Sequence, residues 1–232
     1  MKYLGSKNRL AKEIITTILN TTKLTNFTYI EPFVGGANII DKFPANRKIG
    51  ADINKPLITL LSYLQNGWQP PNNLTEEEYK QACYINDEDN PITAFAGFCC
   101  SFAGKYFGGY ARGKTTEGKR RNYASESRRN LLKQSPNLKE ITFICSDYRL
   151  VDIPLNSLIY CDPPYKDTTE YSNSLNYEEF YSWCREQKAN GNEVYISEYN
   201  MPPDFICIWE KEFKVNLNEN KALKRVERLF TL

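Results

Sequence analysis

Ser157-Leu158-Ile159-Tyr160-Cys161-Asp162-Pro163-Pro164-Tyr165 is the stretch on which the reading of this chain turns. The uncharged run 157–161 suits a short buried strand, and it stops at an acid followed by two prolines. Proline has no N–H and a fixed φ, so the pair stiffens the turn and ends the ladder. The residue before each proline is held extended. What results is a rim of acceptors, the Asp162 carboxylate and the Pro163 carbonyl, beside the Tyr165 ring, with no donor competing for them. Such a rim suits a flat substrate bearing an amino group, such as a nucleobase. A bare Asp-Pro-Pro also serves as a plain capped strand end; the apolar run before it and the aromatic after it favour a binding site.

Further runs of the same kind lie at residues 27–30, 48–51, 141–145 and 193–197. Between them lie helix signals. Ser6 caps a helix over 7–20, Asn54 caps 55–66 with Gly67 as its stop, and Thr75 with Glu78 forms a capping box for 76–85. Helices are also expected near 125–134 and over 177–189, the latter closed by Gly191. The tail (206–209, 213–217, 225–232) reads as further strands folding back as a hairpin. Strands alternating with helices predict an α/β fold with a mostly parallel sheet. Residues 57–137 break that rhythm and read as a mainly helical insertion. The expected organisation is a catalytic domain in two parts, 1–56 and 138–232, around it.

At 232 residues, 41% hydrophobic and 13% aromatic, the chain holds one sizeable folded unit plus an insertion. No apolar stretch reaches membrane-spanning length, and the first residues lack a signal-peptide core. The seven cysteines are odd in number and never spaced C-x-x-C, so a cytoplasmic protein without disulfides or zinc is expected. Histidine is absent. That removes Ser-His-Asp and Cys-His chemistry and leaves carboxylates, carbonyls, lysines or a cofactor to do any catalysis.

Net charge is only +2, but residues 105–139 carry ten Lys/Arg against Glu117 and Glu126. Tyr106, Phe107, Tyr110 and Tyr123 interleave with them, and glycines 104, 108, 109, 113 and 118 mark loops. A solvated charged face has this composition too; the aromatic and glycine content favours contact with a phosphate backbone. Arg112, Lys114, Lys119, Arg120, Arg121, Asn122, Arg128 and Arg129 are the candidate DNA contacts.

Glu31-Pro32-Phe33-Val34-Gly35-Gly36-Ala37 follows the first strand, and Asp52 ends the second. A glycine loop followed by an acid is how nucleoside cofactors are held, the acid taking the ribose hydroxyls. The absence of G-x-G-x-x-G disfavours NAD(P). Residues 108–115, Gly-Gly-Tyr-Ala-Arg-Gly-Lys-Thr, match the phosphate-loop pattern literally. A phosphate loop needs a buried strand before it and an amphipathic helix after it, and the sequence shows neither.

With these residues in place the chain resembles the D12-class N6-adenine DNA methyltransferases, the Dam type. The likeness rests on five elements in the family's order: Lys2-Tyr3-Leu4-Gly5-Ser6-Lys7-Asn8-Arg9, the 31–36 loop, Ala51-Asp52-Ile53-Asn54, Ser146-Asp147-Tyr148 and Asp162-Pro163-Pro164-Tyr165. It implies a Rossmann-like, S-adenosylmethionine-dependent methyltransferase sheet with one antiparallel strand and an inserted target-recognition domain. It also implies roles. Tyr3 and Lys7 would contact the methionine end or wall of the cofactor pocket, Phe33 to Gly36 its floor, and Asp52 the ribose. Asp147 and Tyr148 would flank the cofactor's adenine, and Asp162 would face both cofactor and target. Two departures stand out. Ala37 replaces a frequent third glycine, tolerable if its φ stays negative, and residues 98–129 lack the signatures of GATC-specific members.

The expected reaction is methyl transfer to N6 of a flipped-out adenine in double-stranded DNA, with Asp162 and Pro163 accepting the N6–H bonds and Tyr165 stacking on the base. No metal is implied, a monomer is expected, and a cognate restriction endonuclease is an allowed partner. The alternatives are a cytosine-N4 methyltransferase, an inactive DNA-binding relative and a phosphate-loop NTPase.

Overall fold

Each apolar run named above becomes a strand. β1 spans Thr28–Glu31, β2 Arg47–Asp52, β3 Ile141–Cys145, β4 Ser157–Cys161 and β5 Glu193–Glu198. With β6 (Ile206–Asn216) and β7 (Ala222–Thr231) they form one seven-stranded sheet in the order β3-β2-β1-β4-β5-β7-β6. The first five strands pair in parallel, while β7 runs antiparallel to both β5 and β6. This is the expected Rossmann-like methyltransferase sheet with its one antiparallel strand. The computed structural model describes residues 1–165, 175–216 and 222–232, with side chains described except at 213–216 and 222–225.

The strand order fixes where a ligand can go. Parallel strands present their carboxyl ends at one edge, and the crevice lies where the order reverses. Here that point is between β1 and β4, paired Thr28 to Ser157 and Ile30 to Ile159. Glu31 therefore closes one side of the switch point and Asp162 follows the strand on the other. β4 is buried at every position because helices cover both sheet faces. On one face α1 (Ala11–Thr21) and α2 (Lys55–Gln65) pack Ile14, Ile18, Leu57 and Leu61 against Tyr29, Leu158 and Tyr160. On the other, α6 (Tyr177–Ala189) packs Phe180, Trp183 and Cys184 against Ile30, Ile49, Ile159 and Val194.

The segment between α2 and β3 is helical: α3 (Glu76–Ile85), α4 (Pro91–Ala94) running on as a π-helix over Phe95–Cys99, and α5 (Tyr123–Gln134). α3 starts in the expected capping box, with both the Thr75 and the Glu78 side chains bonded. Tyr79, Phe95, Phe98 and Leu131 join the same apolar cluster as α1 and α2, so the insertion shares the core of the sheet. The break expected at residues 56/57 falls inside α2, which packs on β2 and β3.

Three local details differ from expectation. The first helix is split: Lys7–Arg9 forms a separate turn, and α1 begins only at Ala11 after Leu10 bends the chain. The reason is tertiary, since Lys7 is drawn into the site described below. The tail strands 206–209 and 213–216 are one strand, β6, with a register shift between Cys207 and Trp209 that absorbs the irregularity; residue 217 lies outside the described residues. Ala37 does not keep a negative φ. It sits at φ +53°, fully buried, a conformation costing an alanine about 1 kcal/mol or more. Its N–H bonds Val34 O at 2.9 Å and its carbonyl accepts from Gln134 Nε2 at 2.9 Å, and these bonds hold it there.

Candidate active site

The loop after β1 is folded against β2: the Val34 N–H donates to Ala51 O at 2.8 Å. Gly35 has φ +48°, which turns its N–H toward Asp52, and Asp52 Oδ2 accepts it at 3.0 Å. Asp52 Oδ1 accepts from the Asn54 N–H at 3.0 Å, so one carboxylate ties the glycine loop to the start of α2. Burial raises the Asp52 pKa, opposed by the amides of Asn54, Gly35 and Ile53. At Gly36 a Cβ would lie 2.6 Å from Asn38 Nδ2 and 3.0 Å from Tyr3 Cβ. From the insertion, Gln134 Nε2 reaches across to Gly36 O at 3.1 Å as well as to Ala37 O.

Asp162 stands on the opposite side of the switch point. Its Oδ1 lies 2.9 Å from the ammonium of Lys7, and that lysine is only 7% exposed. A second carboxylate, Glu227 of β7, lies 3.8 Å from the same ammonium and accepts the Tyr165 hydroxyl at 2.8 Å. The ammonium also sits 4.4 Å over the Tyr165 ring, which meets Tyr199 edge-on at 4.5 Å. The electrostatics follow from this packing. Burial raises the Asp162 pKa while Lys7 pulls it back. Burial alone would lower the Lys7 pKa, but Asp162 and Glu227 more than offset it and leave it raised. The Tyr165 phenol is pushed well up, first by burial and then by the two carboxylates. Pro164 offers its carbonyl to the Tyr177 hydroxyl, which ties the motif to α6.

The remaining wall comes from beyond β3. Tyr148 is buried against Phe33 (5.2 Å between ring centroids), Phe180 and Trp183. Asp147 caps the turn Tyr148–Leu150, and its carboxylate also holds the Arg149 guanidinium through Nε and Nη2, both at 2.8 Å. That contact holds the Asp147 pKa below the usual carboxylate range. Arg149 reaches on to Glu179 of α6 at 2.9 Å.

These pieces enclose one cavity of about 670 Å3. It is lined by Tyr3, Lys7, Phe33, Gly35, Gly36, Asp52, Asp147, Tyr148, Asp162, Pro163, Pro164 and Tyr165, so every residue named from sequence as catalytic or cofactor-binding lies on it. The structure adds Glu31, Ile53, Arg149, Glu179, Tyr199 and Glu227. Glu31 and Tyr199 each lie just past a run recognised as a strand and so are within reach of the sequence; Glu227 carries no local motif. Acids dominate the charged lining, with Lys7 and Arg149 the only bases among the described residues on it. The arrangement can hold a flat, amino-bearing group against acceptors and can accommodate a cation.

The basic residues divide. Arg112 pairs with Glu76 at 2.6 Å, and Arg121 grips Glu126 through two nitrogens. Arg128 donates to Pro70 O and Gln69 Oε1, and Asn122 caps α5 and reaches Asn72 O, so both brace the insertion. Lys114, Arg120 and Arg129 are exposed, as is Lys119, which pairs with the exposed Glu117 at 3.4 Å. Phe102, on the turn next to Gly104, is 70% exposed; a Cβ on Gly104 would lie 3.2 Å from the Tyr3 backbone, which places that turn against a wall of the cavity. Around Lys114 the chain is a hairpin, with Thr115 N–H bonding Lys119 O and Lys114 bridging Arg120. No helix follows until Tyr123, so residues 108–115 lack the helix N-terminus a phosphate loop requires.

A protein-family model described as D12 class N6 adenine-specific DNA methyltransferase matches residues 3–95 and 72–200. The Type II methyltransferase M.FokI of Planomicrobium okeanokoites is 24% identical over 256 aligned positions, covering 93% of this chain but 38% of its own length. M.MjaIII of Methanocaldococcus jannaschii, also a Type II methyltransferase, is 26% identical, covering 78% of this chain and 73% of its own. The DNA adenine methylase of Vibrio cholerae is 25% identical, covering 76% and 68%. A crystal structure titled as that of SMU.472, a putative methyltransferase complexed with SAH, covers 97% of this chain and 52% of its own at 10% identity and TM-score 0.35.

Proposed function

The chain belongs to the D12 class of N6 adenine-specific DNA methyltransferases, and from that premise we propose that it methylates N6 of an adenine turned out of duplex DNA, with S-adenosylmethionine as donor. The observation that carries this reading is the pair formed by Asp162 and Lys7 at the switch point. A carboxylate held at 2.9 Å by a buried ammonium leads into Pro163, Pro164 and the Tyr165 ring, all on one cavity.

The other half of that cavity fits such a donor. Gly36 has no room for a side chain, Asp52 offers a carboxylate to ribose hydroxyls, and Phe33 and the 73% exposed Ile53 give apolar surface for a purine. When bound, the donor supplies an electrophilic methyl group on a positively charged sulfur.

The protein's task is to make a poor nucleophile attack. Adenine N6 is weak because its lone pair is delocalised into the ring. The Asp162 carboxylate and the Pro163 carbonyl each accept one N6–H bond, drawing the nitrogen toward tetrahedral geometry and freeing its lone pair. Lys7 holds the carboxylate in place from behind. Neither proline has an N–H to compete for the acceptors. Tyr165 gives the base a ring to stack on, worth about 1–3 kcal/mol. That offsets much of the few kcal/mol, roughly, needed to extract the base. Orienting these groups is a large part of the acceleration, since near-attack geometry removes entropy from the barrier.

Duplex DNA would lie across the insertion, with exposed Lys114, Lys119, Arg120 and Arg129 on its phosphates. A restriction endonuclease of matching specificity is the companion this reading allows, and a cytoplasmic monomer the form it expects. No helix among the described residues is long and apolar enough to cross a membrane.

Expression in a host without DNA methylation tests the assignment. Nucleoside mass spectrometry of that host's DNA is expected to show N6-methyladenine, and long-read sequencing its target site. N4-methylcytosine alone, or no modified base, contradicts it.

A further inference from the structure

Three charged groups meet at the carboxyl edge of the sheet, and their charges do not cancel. Lys7 is 2.9 Å from Asp162 and 3.8 Å from Glu227, and among the described residues it is the one cation paired with either. The Tyr165 hydroxyl bonds Glu227 at 2.8 Å and adds no charge. Glu227 arrives by topology. β7 runs antiparallel to β5 with Glu198 opposite Arg228, which carries residue 227 just past the end of β5 to the edge where β4 delivers Asp162. Lys7 is 7% exposed, and the Asp162 and Glu227 side chains are 22% and 19% exposed. A surplus negative charge so sheltered from water is costly unless a cation joins it.

We propose that Glu227 is a specificity-determining residue: the charge it adds beside Lys7 and Asp162 makes the pocket prefer a cationic methyl donor to the neutral thioether left after transfer. The inference rests on the reading of the cavity as a donor site. It goes beyond that reading in assigning to one β7 side chain the ability to tell substrate from product. Methyl transfer carries the sulfur's positive charge to N6, which sheds it as a proton through Asp162 to solvent, so the cluster returns to a surplus of one once the product has formed. The donor is therefore held more tightly than the product, and the spent thioether gives way to fresh donor.

Binding measured without DNA, and so without catalysis, tests this. Calorimetric titration of the wild-type chain with S-adenosylmethionine and with S-adenosylhomocysteine gives an affinity ratio. Glu227→Gln keeps an acceptor for Tyr165 and removes the charge. It is expected to lower the ratio roughly tenfold, about what one unit charge contributes across a partly screened pocket, with product affinity changed less than about twofold. Glu227→Asp restores the charge and is expected to restore most of the ratio. Tyr165→Phe keeps the charge and should leave the ratio intact even if both affinities fall. An equal loss of both affinities in Glu227→Gln, or an unchanged ratio, overturns the proposal while the donor site stands. If the wild-type chain binds neither compound, the donor-site reading falls and the proposal with it.

Discussion

Glu31 shows what a single buried acid does to such a molecule. It is 2% exposed, and its Oε1 accepts the Tyr29 hydroxyl at 2.8 Å. Burial pushes its pKa well up, against the pull of that hydrogen bond. An acid whose folded pKa lies above its unfolded value gains a proton on folding. Its contribution to stability is full below the unfolded value and is lost as pH rises through the folded one. Each unit of such a shift is worth about 1.4 kcal/mol. Glu31→Gln keeps the acceptor and never ionises, so its urea midpoint should exceed the wild type's at about pH 8 and converge with it toward about pH 5. A gap independent of pH would contradict a strained, ionising Glu31. Gly36 poses the opposite problem, of space. A methyl group there would meet Asn38 Nδ2 at 2.6 Å, so Gly36→Ala should lower stability by about 1–3 kcal/mol in thermal unfolding, and a neutral result would show the loop to be looser than drawn.

At the scale of elements, hairpin and helix divide the labour of the basic segment. Arg120, exposed and bridged to Lys114 across the hairpin, would meet a phosphate under the proposed function, whereas Arg128 on α5 is spent on Pro70 O. Arg120→Ala is expected to reduce the slope of log affinity for DNA against log salt by about 0.9 with no change in unfolding. Arg128→Ala should instead cost about 1 kcal/mol or more of stability. If the two variants behave alike, this partition is wrong. Strands were the most legible elements. The boundaries of β3, Ile141–Cys145, follow from its apolar run, and α6, Tyr177–Ala189, from its spacing and Gly191. The π-helix Phe95–Cys99 had no such signature, because an unbroken apolar run does not distinguish one buried helical geometry from another. The split at Leu10 was equally hidden, since what stops the helix is the remote partner of Lys7.

For the molecule as a whole, the motif-borne half of the site was readable and the topological half was not. Glycine loop, Asp52, Asp147 and the Asp-Pro-Pro-Tyr turn each sit at or just past the carboxyl end of a strand, and a parallel sheet must bring such ends to one edge. Glu227 reaches the cavity because β7 inserts antiparallel between β5 and β6, a placement that no local pattern in 222–231 announces. The positive φ of Ala37 is illegible in the sequence for a related reason, its backbone being held by Gln134 from the far end of the insertion. That same bond joins the insertion to the glycine loop, the two parts to which the proposed function gives the DNA and the donor. Asp162 carries the proposed chemistry. Purified Asp162→Ala, assayed for transfer of a radiolabelled methyl group to duplex DNA and in parallel for DNA binding by fluorescence anisotropy, is expected to lose transfer below detection while binding DNA within about threefold of wild type. Methyl transfer persisting at a rate near the wild type's would contradict it.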